Sequence, residues 1–179
     1  MHFISGTEAQ LGQATSALIS SYRYKVFIET LGWQLDNPVG AERDQFDRPD
    51  TVYVAARDAD GAVIGCARLL PTVRPYLLDE VFPQLLDGLP IPRDAQVWEL
   101  SRFAAVDFNS KNTSPLQQFS SPAAVALLQE SIACAAALGA RRLITVSPVG
   151  IERLLRRAGF RARRAGLSTR RIGLTLGID

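Results

Sequence analysis

The stretch Val97–Phe103 (VWELSRF) combines a strand-like sequence with two charged side chains. It is short, mostly apolar and free of glycine and proline, which is typical of a buried strand. Glu99 and Arg102 stand three residues apart within it. Because a buried charge is costly unless it is paired or hydrogen-bonded, these residues need partners or have a chemical role. A regular strand directs them to opposite faces, whereas a bulge, a feature found beside active sites, directs both towards one cleft.

Charged residues from other segments are candidates for the same site. They are Arg23, Asp44, Asp47 and Arg68, which together with Glu99 and Arg102 give three arginines and three acids that neutralise one another. Arg68 and Glu99 lie in apolar stretches, where unpaired charges are rare. For Arg23 and Asp44 taken singly, scattered surface positions stay an open alternative. For Glu99 and Arg102 the alternative is a structural ion pair in the core.

Two aromatic residues, Phe27 and Trp33, are candidates to hold a cationic ligand. A ring close to acidic groups attracts a cation such as a sulfonium by about 0.5–2 kcal/mol. Core packing is the simpler alternative for Phe27. Trp33 follows a predicted helix end at Gly32, so it is predicted to stand in a loop.

Several absences narrow the chemistry. His2 is the only histidine and lies at the N-terminus, which argues against a Ser-His-Asp triad, a Cys-His pair or a His-rich metal site. A carboxylate, or a water held by one, is therefore the expected general base, and no metal is predicted. Cys66 and Cys134 stand in apolar surroundings, which favours buried free thiols over a disulfide. No Gly-rich phosphate-binding turn follows Phe103, which weakens any coenzyme A hypothesis that depends on one.

The charge is unevenly distributed along the chain. Residues 1–130 contain 10 Lys or Arg and 16 Asp or Glu, whereas residues 131–179 contain 10 Arg against Glu152 and Asp179. This asymmetry suggests an acidic protein or a polyanion as partner. The arginines between residues 153 and 171 form an arginine cluster that has no lysine and few aromatic residues among them. Nucleic-acid binding is therefore poorly supported. A solvated face is the simple alternative, and docking of an acidic protein is the sharper one.

The elements that must position these residues follow from periodicity and punctuation. We predict strands near 2–4, 51–57, 62–70, 97–103, 143–146 and 174–178, and helices over 8–31, 122–138 and 150–158. A turn at 58–61 makes a hairpin, 38–49 is a loop, and 77–86 is a short helical piece broken at Phe82-Pro83. Leu18, Tyr22, Val26, Ile19, Arg23 and Phe27 form the repeating face of the first helix.

This order predicts an α/β (α+β) fold, a mixed sheet with helices on both faces whose central strands splay apart to form a cleft. At 179 residues the chain is predicted to be one domain, 1–179. No apolar run is long enough to span a bilayer, and residues 1–5 lack the features of a signal peptide. The expected location is therefore the cytoplasm.

The chain resembles the acyl-homoserine-lactone synthases, the LuxI-type autoinducer synthases. The resemblance runs from Tyr22 to about Phe160 and depends on the spacing of five blocks. They are Arg23-x-x-x-Phe27 with Trp33, Glu42–Asp47 (ERDQFD), Gly65–Thr72 (GCARLLPT), Phe82, and Val97–Phe103. The resemblance implies a fold similar to the GNAT acetyltransferases, a mixed, mostly antiparallel sheet with a V-shaped split.

The family's reaction implies roles for these residues in a bacterial, cytoplasmic quorum-sensing enzyme. The amine of S-adenosylmethionine, a substrate rather than a cofactor, attacks an acyl thioester on acyl carrier protein. Lactone closure then releases methylthioadenosine. The implied catalytic residues are Glu99 as base, Ser101, Arg102 and Arg68. The implied S-adenosylmethionine pocket comprises Arg23, Phe27, Trp33, Asp44, Asp47 and Phe82.

The resemblance also implies an acyl-chain tunnel and a docking face. The tunnel residues would be Phe103, Thr145, Val146, Ser147, Leu154, Leu155, Ala158 and Phe160, with plain core packing as the alternative. Ser147 stands where many relatives carry threonine. The docking face for the acidic carrier protein would comprise Arg153, Arg156, Arg157, Arg161, Arg163 and Arg164.

Two other functions stay open at this point. One is a GNAT-like N-acyltransferase that uses acyl-coenzyme A, which lactone formation would exclude. The other is a non-catalytic module that binds acidic protein or RNA through the arginine cluster, for which Glu99→Gln would leave function intact. Loss of a general base should instead lower the rate about 10²-fold or more.

Overall fold

The structure of the protein, a computed structural model, describes residues 1–109, 121–148, 152, 155–156, 159–164 and 171–178. Its strands are β1 His2–Thr7, β2 Val52–Arg57, β3 Val63–Pro71, β4 Val97–Ala104, β5 Arg142–Pro148, β6 Ala162–Arg164 and β7 Arg171–Gly177. Its α-helices are α1 Glu8–Leu11, α2 Gln13–Arg23, α3 Leu77–Glu80 and α4 Pro122–Ala137. A π-helix spans Tyr24–Thr30, and a 3-10 helix spans Pro83–Leu86.

The strands form a mixed seven-stranded sheet in the order β1-β2-β3-β4-β5-β7-β6. The pairs β1–β2, β5–β7 and β6–β7 are antiparallel, whereas β4 and β5 are parallel. The β4–β5 ladder runs from Val97–Arg142 to Glu99–Ile144, although both strands continue beyond these residues. The mixed sheet confirms the predicted fold class.

The chain divides into two compact units. The first comprises Met1–Arg68 and Arg102–Glu130, and the second comprises Leu69–Ser101 and Ser131–Asp179. Strands β3 and β4 continue from one unit into the other. The first unit has a core of buried apolar residues: Ile19, Tyr22, Val26, Phe27, Tyr53, Ala55, Cys66, Ala104 and Val106. This core positions the charged residues of the same unit.

The predicted first helix is interrupted in two ways. Gly12, at φ 80°, separates α1 from α2, and a π-helix replaces the regular α-helix after Arg23. Of the six residues on the predicted repeating face, Leu18 is 47% exposed and the other five are buried.

The remaining predicted strands, the hairpin and the helix near 122–138 are confirmed, with two corrections, whereas the predicted helix over 150–158 lies mostly outside the described residues. The hairpin forms as predicted, with the Asp58 N–H donating to the Ala62 carbonyl. Strand β6 was not predicted, because Ala162–Arg164 is only three residues long and rich in arginine. Cys66 and Cys134 form no disulfide, but only Cys66 is buried, while Cys134 on α4 is half-buried. Among the described residues, no helix is long and apolar enough to cross a membrane.

Candidate active site

The loop before β2 brings three carboxylates into the first unit, from Glu42, Asp44 and Asp47. Local hydrogen bonds shape the loop, since Asp44 accepts from the Phe46 N–H and Asp47 accepts from the Asp44 N–H. Turns in which an aspartate binds backbone two or three residues away are a common way to fix a short loop. The buried Phe46 side chain anchors the loop to the core. The acidic loop is therefore built to hold its carboxylates in place.

Three arginines face these carboxylates within the same unit. Arg23 donates to both oxygens of Asp47, at 2.7 and 3.0 Å, and its Nε donates to Glu42. Arg68 donates to both oxygens of Asp44, at 2.6 and 3.1 Å, and to Asp47 at 3.1 Å. Arg102 joins Glu42 at 2.9 Å and Asp44 at 2.8 Å. Bidentate arginine–carboxylate pairs of this kind are strong and geometrically specific.

This six-residue network is almost entirely removed from water. The side chains of Glu42 and Arg68 are fully buried, Arg23 is 2% exposed, and Asp44 at 13% is the most exposed member. Three positive and three negative charges balance formally. Removing one partner from such a network leaves an uncompensated buried charge, which costs roughly 3–5 kcal/mol. The network is therefore rigid, and Asp44 is the member best placed to meet a ligand.

The ionisation of the aspartates follows from these contacts. Burial opposes the charged form of Asp47, but the charges and hydrogen bonds of Arg23, with the charge of Arg68, hold its pKa well below the usual range. At Asp44 burial is likewise outweighed, by Arg68 and then Arg102, and the pKa is lowered. Tyr53 donates its hydroxyl to Asp47 at 2.8 Å, and burial, with the nearby Asp47 charge, raises the pKa of Tyr53. Both aspartates are thus carboxylates at neutral pH.

The π-helix that follows Arg23 places two aromatic rings beside the network. Its last turn closes through the Trp33 N–H, which donates to the Phe27 carbonyl at 2.9 Å, after Gly32 at φ 67°. The rings of Phe27 and Trp33 consequently lie 4.7 Å apart at 31°. π-helical turns are frequent at functional sites, and here a single turn fixes the positions of both aromatic rings.

Arg102 connects the aromatic pair to the acids. Its guanidinium carbon lies 5.6 Å from the centre of the Phe27 ring and 5.2 Å from that of Trp33. Its backbone has φ 50°, in the left-handed region that non-glycine residues seldom occupy. Such a conformation interrupts the regular alternation of a strand. Local backbone strain of this sort is concentrated at functional sites.

Glu99 has a different environment in the second unit. Its carboxylate accepts the backbone N–H groups of Leu77, at 2.9 Å, and Leu78, at 2.8 Å, and it is fully buried. Glu99 was predicted to be the third acid, with Asp44 and Asp47, that neutralises the three arginines. In the first unit that third acid is Glu42. Ser101 is buried on the same strand, and Phe82 is half-buried after α3.

Comparison with known proteins identifies the family. A sequence model described as autoinducer synthase matches residues 9–173, which is most of the chain. The chain belongs to the autoinducer synthase family. It is 56% identical over 162 residues to the acyl-homoserine-lactone synthase of Acinetobacter nosocomialis, covering 90% of this chain and 88% of that protein. The predicted enzyme class, a transferase that makes acyl-homoserine lactones, is therefore confirmed.

Two solved structures of this family have closely similar folds. The crystal structure of TofI in a ternary complex with an inhibitor and MTA matches at a TM-score of 0.85 and 45% identity, covering 100% of this chain and 92% of that chain. The coenzyme A-dependent synthase BjaI, with SAM and isopentyl-CoA, matches at 0.83 and 26%, covering 99% and 82%. A putative N-acetyltransferase from Lactobacillus plantarum matches at a TM-score of 0.62 and 15% identity, covering 99% of this chain and 98% of that chain, so the predicted GNAT-like fold is confirmed.

The residues predicted to line the acyl tunnel of this autoinducer synthase are only partly described. Thr145 and Ser147 are buried on β5, and Leu155 is buried. Val146, Phe103 and Phe160 are half-buried. Leu154 and Ala158 lie outside the described residues. The tunnel stays a prediction.

The arginines predicted to form the docking face differ in their contacts and exposure. Arg156 pairs with Glu152 at 2.8 Å, and Arg164 pairs with the same carboxylate at 2.7 Å. Arg161 and Arg163 are exposed, whereas Arg153 and Arg157 lie outside the described residues. One acid thus offsets part of the positive charge, and Arg163 on β6 is a clearer candidate for an external partner.

Glu42 belongs to the six-residue network but was not among the predicted site residues. It lies in the acidic block Glu42–Asp47, of which only Asp44 and Asp47 were predicted to belong to the site. A usable signal was the charge balance: Arg23, Arg68 and Arg102 require three acids, and Glu42 is the remaining glutamate of the Pro38–Pro49 loop. Sequence spacing alone does not show which carboxylates of an irregular loop point inward.

Proposed function

We propose that this enzyme joins S-adenosylmethionine to an acyl group carried as a thioester on acyl carrier protein, and releases methylthioadenosine. Under this proposal it needs neither a cofactor nor a metal ion and works in the bacterial cytoplasm. The observation that carries the proposal is the buried network of three arginines and three acids beside the Phe27–Trp33 pair. That combination suits a ligand with opposite charges at one end and an aromatic base at the other.

S-adenosylmethionine has an ammonium, a carboxylate, a sulfonium and an adenine ring. In the proposed mode Asp44 attracts the cationic groups and Arg102 holds the carboxylate, because these are the most accessible acid and arginine of the network. Trp33, 37% exposed, offers a ring face to the ligand, and Phe82 is a further residue assigned to this pocket by the family resemblance. Arg23, Asp47 and Arg68 are more deeply buried and act by fixing the others.

Amide formation comes first in the proposed reaction. Glu99 accepts a proton from the ammonium, directly or through a water, and the free amine attacks the thioester carbonyl. Ser101 assists positioning, and Arg102 stabilises the negative charge that develops on the carbonyl oxygen. The carbonyl–sulfur bond then breaks, and the sulfur leaves as the free thiol after it takes the second proton that the amine nitrogen loses. Arg68 supports this step through Asp44, since its guanidinium is fully buried against that carboxylate.

Lactone closure follows. An oxygen of the methionyl carboxylate attacks the carbon attached to the sulfonium, and the carbon–sulfur bond breaks with its electron pair going to sulfur. The products are the lactone and neutral methylthioadenosine. A sulfonium is already a good leaving group, so the step needs orientation rather than a Lewis acid.

The donor distinguishes two versions of the proposal. BjaI, 26% identical, is a coenzyme A-dependent synthase, so the family includes members that use coenzyme A thioesters. An acidic carrier protein is favoured here by the arginine-rich segment, in which Arg161 and Arg163 are exposed. The acyl chain would run past Thr145, Val146 and Ser147 on β5.

One incubation tests the proposal. The purified protein is mixed with S-adenosylmethionine and carrier-protein or coenzyme A thioesters that differ in chain length and oxidation at C3. Methylthioadenosine release is followed, and the organic product is identified by mass. Lactone formed faster from the carrier-protein donors is the expected result. Lactone formed faster from coenzyme A would correct the donor, and acyl transfer without methylthioadenosine, or no turnover, would contradict the proposed reaction.

A further inference from the structure

Glu99, on strand β4, caps the N-terminus of helix α3 within the second unit. Its Oε2 accepts the Leu77 N–H at 2.9 Å, and its Oε1 accepts the Leu78 N–H at 2.8 Å. Leu77 and Leu78 are the first two residues of α3. Each carboxylate oxygen therefore takes one of the N–H groups that a helix start leaves without an intrahelical partner.

The residue that precedes α3 does not provide this cap. Tyr76 stands at the N-cap position with extended backbone, φ −144° and ψ 169°, and its side chain makes no capping hydrogen bond. Its hydroxyl instead donates to the Pro92 carbonyl at 2.7 Å. N-cap positions are usually occupied by short polar residues that bind the first N–H groups themselves. In α3, a glutamate from strand β4 takes over that function.

Hydrogen bonds connect the capped residue Leu77 to Phe82 through the Leu77 carbonyl. The Leu77 carbonyl accepts the Val81 N–H at 2.9 Å and the Phe82 N–H at 3.3 Å. The same peptide residue is thus bound to Glu99 through its N–H and to Phe82 through its carbonyl. A displacement of the Glu99 carboxylate would consequently loosen the whole Leu77–Phe82 segment.

We propose that Glu99 is a positioning residue for the Leu77–Phe82 segment, in addition to its proposed work on the substrate amine. Through the N–H groups of Leu77 and Leu78 it fixes Phe82 where that side chain contributes to S-adenosylmethionine binding. The substrate part of this inference rests on the proposed function, while the capping part does not. Glu99→Gln therefore removes two functions together, because one of the two acceptor oxygens becomes an NH2 group, which donates and cannot accept a backbone N–H.

The two functions can be separated on the donor side of the hydrogen bond. Leu77→Pro deletes the N–H that binds Oε2, and proline is favoured at the first position of a helix. The extended backbone of Tyr76 also suits a residue that precedes proline. Leu77→Ala is the matched control, since it shortens the side chain and keeps the N–H. The comparison of these two variants isolates the hydrogen bond.

Steady-state kinetics give the first test. We expect Leu77→Pro to raise the KM for S-adenosylmethionine about tenfold over Leu77→Ala, the scale of one hydrogen bond to a charged group, with a much smaller change in kcat. Loss of a general base would instead lower kcat. Equal KM values in the two variants would overturn the positioning function.

Hydrogen exchange gives the second test and needs no substrate. In Glu99→Gln, amides of residues 77–82 should exchange at least about tenfold faster than in the parent, while the control Glu80→Gln, an exposed residue of α3, should retain protection. Unchanged exchange in Glu99→Gln would overturn the inference even if Leu77→Pro failed to fold. Failure of the proposed function would appear separately, as the absence of lactone from a protein with the expected exchange pattern.

Discussion

Arg23 binds Asp47 through two parallel hydrogen bonds, at 2.7 and 3.0 Å, with both side chains almost fully buried. The two residues come from α2 and from the acidic loop, 24 positions apart. Because Asp47 also accepts from Arg68 and Tyr53, it joins three elements of the first unit at one carboxylate. The stability of the site and of the unit that carries it therefore depend on the same pair.

Asp47→Asn should lower the free energy of unfolding by about 3–5 kcal/mol, because it leaves Arg23 and Arg68 buried with too little negative charge. Urea unfolding followed by tryptophan fluorescence or circular dichroism measures this change. Asp60→Asn is the matched control, since Asp60 is exposed in the hairpin turn, and a change within about 0.5 kcal/mol is expected there. Similar losses in both variants would show that the network adds little.

The same aspartate predicts how stability depends on pH. The pKa of Asp47 and that of Asp44 are lowered in the folded protein, while the unfolded value is about 3.9. Their contribution is therefore fully present above about pH 4 and is lost as the pH falls through the folded-state values. The difference in unfolding free energy between the parent and Asp47→Asn should shrink below about pH 4. A difference that stays constant from pH 7 to pH 3 would contradict this.

Trp33→Ala should weaken S-adenosylmethionine binding about 3- to 30-fold, the range expected for loss of one aromatic contact with a cation. The KM for the acyl donor should change much less. Titration calorimetry with S-adenosylmethionine and steady-state kinetics with the donor measure the two effects. Leu35→Ala is the control in the same loop, where the side chain is 41% exposed. Equal losses for the two substrates would remove Trp33 from the proposed pocket.

The two cysteines should differ in reactivity. Burial raises the pKa of the Cys66 thiol to about 12, and this thiol donates to the Arg102 carbonyl at 3.2 Å, whereas Cys134 is half-buried. Since the thiolate is the reactive form, maleimide at about pH 8 should label Cys134 at least roughly a hundredfold faster than Cys66. Peptide mass mapping measures both rates, and labelling in urea is the control. Rapid labelling of Cys66 in the folded protein would contradict the buried site.

Regular patterns in the sequence predicted most of the fold. The β2–β3 hairpin follows from two apolar runs around Asp58–Gly61, and α4 follows from a proline start and a glycine stop at Gly139. The π-helix over Tyr24–Thr30 could not be predicted in this way, because its residue types are compatible with an ordinary α-helix. Only the packing of Phe27 and Trp33 against Arg102 reveals why the wider turn is present.

Most residues of the candidate site could be predicted from the sequence, but the partners that they bind could not. The scarcity of unpaired buried charge indicated that Arg68 and Glu99 needed partners. It did not indicate that Arg102 would pair with Glu42, since that contact joins residues 60 positions apart through an irregular loop. Nor did it indicate that backbone N–H groups would bind Glu99. Backbone donors are present at every residue except proline and leave no mark in a sequence.

The exposed arginines provide a test of the carrier-protein donor. Arg163→Glu should raise the KM for the carrier-protein thioester several-fold at low salt, and the effect should fade as salt screens the charges. The KM for S-adenosylmethionine should stay near the parent value. Arg163→Gln is the matched control that separates loss of the charge from its reversal, and its effect should be about half as large on a logarithmic scale. An effect that persists at 1 M salt, or that is equal for a coenzyme A donor, would show that Arg163 does not act by attracting an acidic carrier.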